Sequence, residues 1–358
     1  MARESLDIRD DDAAAGGEAV SGGFKYSKEE VKEQRKATLE FLKRVGKSLF
    51  TGKDLVSVSM PVTLFEPRSF LERVTDVWSF APHYLRLANE TGDKVERFKL
   101  IMAMAIASLR QTVIARKPFN PILGETFEAS FEDGAQIFAE QTSHHPPVSH
   151  YEVDGPNGDY HIDGYAAWSA SLKGPNSLKG HQTGPINIRL RDGTEYTYNL
   201  PYLVLQGIMV GTRVLQYEGV MKFRDISNNL ECDLAFNPDK AGGFFKSLFS
   251  RKKRAPADTI SGECKRGEET LFEVQGSWLS HLECNGKRYW TIDEVKKSTP
   301  TLVDNPLPSD CRYREDLIAL KSGDQKTAQK AKEDMENKQR FERKLRKEHS
   351  KKMKKQNK

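Results

Sequence analysis

No stretch of this sequence is apolar for long enough to cross a membrane as a helix. The most apolar run, Leu100 to Leu109, is about half of the roughly 20 residues that a bilayer requires. Met1 to Gly23 is acidic and small, with no apolar core to drive translocation. The expectation is a cytoplasmic chain whose membrane contacts are peripheral. Cysteine is scarce: Cys232, Cys264, Cys284 and Cys311 form no C-x-x-C pair. That spacing argues against a zinc knuckle, and in a chain without a signal peptide it predicts free thiols. There is no G-x-S-x-G elbow and no glycine-rich loop ending in G-K-[ST], so serine-hydrolase and nucleotide-phosphate chemistry lack their usual carriers. No metal or cofactor is expected, and the chain does not read as an enzyme.

A strong charge of one sign is also missing from most of the chain. The net charge of +5 arises at one end, where Lys321 to Lys358 holds 15 Lys and Arg against 6 Asp and Glu. The remaining residues carry 41 against 45. A near-neutral body with a basic tail suits a polyanion, either an anionic membrane or RNA.

Residues 1–35 offer little to bury and read as a disordered terminus. Helical spacing then runs from Lys36 to Phe50, with Leu39, Leu42, Val45 and Leu49 on one stripe and cations on the flanks. On its own this is an ordinary helix docked on a core. A second helical block spans Arg68 to about Phe80, and Pro82 opens a further turn. Asp93 to Arg116 is the strongest helix, apolar nearly all round its central turns, which predicts burial. After Pro118 the period changes. From Thr126 to about Val303 alternating runs are broken at Asp133-Gly134, Asp163-Gly164, Asp192-Gly193 and Asn285-Gly286. So long an antiparallel series must close or stack to hide its edges, giving a large barrel or sandwich. Asp324 to Lys358 reads as a charged, solvent-exposed helix fraying into a basic tail.

Four strings could carry chemistry. In Glu140-Gln-Thr-Ser-His-His-Pro-Pro147 two prolines stiffen the end of a strand that presents His144 and His145. His150 lies close by, but no acidic or cysteine ligand stands at a usual metal spacing. Ser143 and His144 are neighbours on extended chain and point to opposite faces, which disfavours a nucleophile and its base. Lys117-Pro-Phe-Asn-Pro-Ile-Leu-Gly-Glu125 is a rigid connector that exposes Lys117 and Asn120. Lys332, Glu336 and Arg340 form one helical stripe, in isolation a row of surface ion pairs worth about 0.3–0.5 kcal/mol each. Finally, Phe244, Phe245, Leu248 and Phe249 sit beside the cations Arg251, Lys252, Lys253 and Arg254. These residues suit a tucked loop with solvated cations, a nuclear-localisation run, or an apolar wedge with a basic collar for membrane docking.

The first two strings together resemble the oxysterol-binding-protein-related family, whose signature E-Q-x-S-H-H-P-P is met here by E-Q-T-S-H-H-P-P. The resemblance extends over roughly Thr38 to Arg343. It implies a mostly β fold with flanking helices: a large antiparallel β-barrel around a lipid tunnel, with an N-terminal lid, helices before the barrel and a C-terminal helix. The lid would be residues 36–57, carrying Leu39, Leu42, Val45 and Leu49; the barrel and its preceding helices 58–320; the helix and basic tail 321–358. Position by position, Lys117, Asn120, His144 and His145 would hold the phosphates of phosphatidylinositol 4-phosphate with Glu125 supporting, and Lys332, Glu336 and Arg340 would complete the site. Gln111, on a stripe with Ile101, Met104 and Ser108, would meet a sterol hydroxyl. The implied activity is exchange of sterol and phosphatidylinositol 4-phosphate between membranes by a monomer docking on anionic surfaces, with no nucleic-acid partner. A phosphatidylserine carrier, or a lipid-dependent sensor or scaffold, are the alternatives. One departure stands out: Phe244-Phe245 lies among cations, not in the acidic setting of the family's receptor-docking tract.

Overall fold

The computed structural model describes residues 16–45, 60–238, 255–295 and 297–356. Its helices are α1 (Lys28–Val45), α2 (Phe70–Val77), α3 (Ala81–Glu90), α4 (Lys94–Arg110), α5 (Glu315–Lys321) and α6 (Gln325–Gln356). Local chemistry sets their ends. Ser69 accepts from the Leu71 N–H at the start of α2, and Asp93 accepts from Val95 and Glu96 at the start of α4. Pro82 stands in the first turn of α3 as expected. Asp324 takes the Thr327 N–H at 3.0 Å ahead of α6.

Antiparallel hairpins run through Thr126–Ser130, Gln136–His144, Pro147–Asp154 and Tyr160–Leu172. Tyr160–Leu172 and Val214–Asp225 are long enough to pair with two strands each along one edge. Ser177–Thr183 with Tyr202–Gln206 bridges one half of the gap between them, and Ile186–Leu190 with Glu195–Tyr198 the other. From Val214–Asp225 the sheet continues through Leu230–Phe236, Thr259–Arg266, Glu269–Ser277, His281–Cys284 and Lys287–Thr291. Thr301–Leu302 then returns to pair with the first hairpin strand. The sheet thus curls into a barrel, which shelters edges that would otherwise invite pairing with other chains.

Helix α4 lies within that curl, and its residues from Ile101 to Arg110 are buried without exception. Phe98 stacks on Tyr196 at 6.3 Å, and the Lys99 amine lies 5.0 Å from the Phe272 ring centroid. Arg110 lies over Phe24. Strands far apart in the sheet therefore meet the same helix, which explains why its sequence is apolar nearly all round.

Three expectations are corrected. Asp163-Gly164 is no turn but the middle of Tyr160–Leu172. Glycine is required there because a Cβ would sit 2.5 Å from the Tyr151 hydroxyl on the adjacent strand. Residues 16–35 are ordered: Gly17–Val20 pairs with Gly23–Tyr26, which in turn pairs with Val214 and Leu215. Phe24 is fully buried and Tyr26 donates to the Ile114 carbonyl at 2.8 Å, so two aromatics anchor a segment whose composition is otherwise polar. Helix α1 accordingly begins at Lys28, and Arg116 ties it down through Glu30 and Glu33. Leu39 on this helix is exposed. The side chains of Leu42 and Val45, and Leu49 entirely, lie outside the described residues.

A buried ion network joins the head of α2 and the segment before α5 to the turn that leads into the barrel. Glu125 accepts from the Ser69 hydroxyl, from the Ile122 N–H at 2.8 Å and from Arg314 at 2.8 Å. Arg314 also forks onto Asp316 at 2.8 and 3.0 Å and donates to the Asn120 carbonyl at 3.0 Å. Burial opposes the charge on Arg314, but Glu125 and Asp316 more than offset it. Removing one partner of such a pair leaves an uncompensated buried charge. Arg314→Met is therefore expected to cost about 3–5 kcal/mol in denaturant unfolding, with part of the loss recovered in the double variant with Glu125→Met. Strict additivity of the two changes would contradict the coupling.

Candidate functional site

Lys117–Phe119 is a short strand paired in parallel with Phe65–Ser69, and the register sets Lys117 opposite Phe65. The Phe65 ring lies 5.1 Å from the Lys117 amine and 5.3 Å from the amine of Lys332 on α6. One aromatic ring thus supports two ammonium groups, and each ring–cation attraction is worth about 0.5–2 kcal/mol. Phe119 packs on Phe65 at 4.8 Å and has Arg314 over its own ring at 5.4 Å. Lys332 is only 5% exposed. Glu336 joins it to Arg340, which it meets at 3.2 Å.

The histidine pair forms the facing wall. His144 ends the strand Gln136–His144, and the rings of His144 and His145 meet edge to face at 4.6 Å. His144 Nδ1 lies 3.2 Å from the Pro121 carbonyl, which can only accept, so Nδ1 carries the proton. A phosphate oxygen at Nε2 therefore requires a second proton on the ring. Burial, the neighbouring His145 and the charge of Arg343 hold the unliganded ring down at about 4, against the pull of Pro121 and Glu336. Burial likewise pushes Lys117 down to about 8, and Lys332 acts in the same direction.

These groups surround a single cavity of about 300 Å3. Lys117, Asn120, His144, His145, Lys332, Glu336 and Arg340 all line it, so the structure brings these seven expected residues together from three separate strings. Glu125 is the exception: it is buried behind the wall and holds Arg314 and the Ile122 turn, with no face on the cavity. Its short carboxylate is consumed by three internal donors. Gln111 caps the end of α4, its N–H on the Ser108 carbonyl at 3.1 Å, and does not line the cavity. Ser143 donates to the Pro146 carbonyl at 2.7 Å and so does not engage His144. Phe244, Phe245, Phe249, Arg251, Lys252, Lys253 and Arg254 lie outside the described residues.

Sequence reasoning missed Arg343 and Arg346, which extend the α6 stripe into the cavity, and Arg314 at its wall. The first two continue the spacing of Arg340 by three and six residues and were open to detection. Arg314 was not, because its partner Glu125 is 189 residues away. Phe65 was equally hidden, since its role follows from a parallel strand pairing that no local pattern announces.

The family model for oxysterol-binding protein matches residues 44–357. Oxysterol-binding protein 9 of Dictyostelium discoideum is 39% identical over 343 residues, covering 90% of this chain and 79% of its own length. Oxysterol-binding protein-related protein 5 of Mus musculus is 31% identical over 332 residues, covering 87% of this chain, which spans only 36% of that longer protein. Among solved structures, the Osh3 ORD from Saccharomyces cerevisiae, in complex with PI(4)P, superposes with a TM-score of 0.69 at 24% identity, over 87% of this chain and 85% of that one. The Osh1 ORD domain in complex with ergosterol gives 0.67 at 23% identity, over 90% of both chains. With both motif strings converging on one cavity and a family match over most of its length, this chain belongs to the oxysterol-binding protein family.

Proposed function

We propose that the protein binds a phosphoinositide through its head group in the Lys117–His144–Arg340 cavity and exchanges it for a sterol between membranes. The observation that carries this reading is convergence. Cations from the start of the barrel and the C-terminal helix meet a histidine pair from a hairpin turn around one small cavity. A phosphomonoester brings about −1.5 to −2 charges at neutral pH and accepts several charge-assisted hydrogen bonds. The cavity suits a head group and not a whole lipid, standing at the lower end of the roughly 300–1,000 Å3 of ordinary ligand pockets. The apolar body of either lipid takes the barrel interior, where burial supplies about 25 cal/mol per Å2 of apolar surface. Related proteins of this fold have been solved with PI(4)P, ergosterol and cholesterol, which supports two ligands competing for one site. No described helix is long and apolar enough to cross a membrane, so lipid is met at a surface.

The histidine pair serves the phosphate and not the sterol. His144→Ala with His145→Ala should lower phosphatidylinositol 4-phosphate extraction from vesicles about tenfold to a hundredfold per lost charged hydrogen bond. Sterol pick-up should persist and counter-exchange collapse, with thermal melts excluding unfolding. Equal loss of both lipids in folded protein would sink the split between head-group and sterol contacts.

The head-group affinity should also fall as pH rises. Phosphate binding raises the Lys117 pKa from about 8, so above that pH binding takes up a proton. Lys117 contributes at most about tenfold per pH unit, His144 adds to the slope wherever the bound ring keeps its second proton, and the phosphate itself, with its second pKa near 6, contributes little there. Titrating affinity from pH 7 to 9 should show the decline, and Lys117→Met should make it shallower by the share that Lys117 contributes. An unchanged slope in that variant would assign the proton elsewhere.

A further inference from the structure

The most exposed large apolar side chain among the described residues is Val210, which is 66% exposed. It stands at the tip of the hairpin joining Tyr202–Gln206 to Val214–Asp225, directly after the half-buried Ile208 and Met209. The run Gly207-Ile-Met-Val-Gly211 therefore puts three successive apolar residues at one rim of the barrel. Helix α1 borders the same rim. Its Arg35 donates to the carbonyls of Gly207, at 2.9 Å, and of Gly211. Leu39, one turn further along that helix face, is exposed as well.

The backbone of this loop sets it apart. An ordinary hairpin tip leaves its N–H and C=O groups to water, whereas four successive N–H groups and four carbonyls of this one are paired within the protein. Asn176, in the turn of the neighbouring hairpin, supplies most of the partners. Its carbonyl accepts from Gly207 and Ile208 at 3.0 and 3.3 Å, and its side-chain oxygen accepts from Met209 and Val210 at 2.8 and 3.0 Å. Its side-chain amide donates to the Val210 carbonyl at 3.0 Å, and Arg213 donates to that of Ile208 at 2.9 Å. Arg35 takes the remaining two. Water makes no such demand on a loop, but hydrocarbon does, because an unpaired backbone group is costly there. Charge plays a small part, since Lys173 beside the loop is matched by Glu218 at 3.4 Å. We infer that Gly207–Gly211, with Leu39 beside it, is a wedge that enters the acyl region of a bilayer by apolar insertion and so sets the α1 rim of the barrel against the membrane. This deepens the lipid-exchange reading and rests on it for the choice of occupant.

All four native cysteines are buried, so a thiol introduced at the tip can be labelled alone. Val210→Cys in the full chain, carrying an environment-sensitive fluorophore, reads insertion into phosphatidylcholine vesicles that contain nitroxide lipids. The label should shift to the blue and be quenched, and the quenching should persist in molar salt, which screens charge and not apolar burial. Glu268→Cys, at an exposed turn on the opposite rim, should stay unquenched. Val210→Asp should weaken binding to these vesicles about tenfold to a hundredfold, the worth of one buried apolar side chain. It should also slow sterol transfer while leaving the thermal melt unchanged. Asn176→Ala frees N–H groups of the tip without removing its apolar surface, and should weaken vesicle binding too. An unquenched label at position 210, quenching lost in salt, or unchanged vesicle binding by either variant would overturn the wedge. So would a dimer in the absence of vesicles that Val210→Asp dissolves, since the face would then belong to a second copy. The two readings fail separately. Quenching at position 210 without phosphatidylinositol 4-phosphate extraction by the wild type removes the head-group reading, and extraction without quenching removes the wedge.

Discussion

The buried ion network of Glu125, Arg314 and Asp316 is the constraint on which the site depends. Its members are fixed by geometry from three parts of the chain: Ser69 at the head of α2, the turn from Asn120 to Glu125, and the segment leading into α5. Burying these charges is costly unless every lone pair and proton is matched. Here Glu125 takes three donors, and Arg314 distributes its fork over two carboxylates and a carbonyl. The consequence is positional. Because Arg314 sits immediately before α5, its anchoring sets where α5 and α6 leave the barrel, and α6 carries Lys332, Glu336 and Arg340 to the wall opposite His144.

The electrostatics of the empty cavity follow from that convergence. Cations pressed together from separate strings repel one another, and the protein answers by several routes. Phe65 offers its ring to two of them, and Glu336 bridges Lys332 to Arg340. Lys117 and His144 hold their protons less firmly than they would in water. On the proposed function, a phosphate entering the cavity would reverse these penalties, favouring a second proton on His144 and the full charge of Lys117. Binding energy and proton uptake are therefore two views of one interaction.

The parts of the fold that could be read in advance were those with local causes. Pro82 starting α3, Asp93 capping α4 and the Asn285-Gly286 turn, with φ of 48° and 77°, all act within a few residues. The binding strings were legible because proline and histidine runs are rare enough to carry a family resemblance. What could not be read depended on distant contacts. Gly164 looked like a turn because the Tyr151 ring that demands it lies on another strand. The resemblance gave Glu125 a supporting role, but the means of that support, its pairing with Arg314, is invisible to spacing. Phe24 and Tyr26 were hidden in a polar terminus, their burial supplied by the strand Val214–Asp225 and the end of α4.

The central claim is that one protein molecule holds one lipid, and that a phosphoinositide and a sterol exclude each other. Native mass spectrometry of the full chain, after incubation with vesicles containing both, tests this most directly. The account predicts two singly loaded species, one with phosphatidylinositol phosphate and one with sterol, whose proportions shift in opposite directions as vesicle composition changes. A species carrying both lipids at once, or loading by phospholipids that lack a phosphomonoester in place of phosphoinositide, would contradict it.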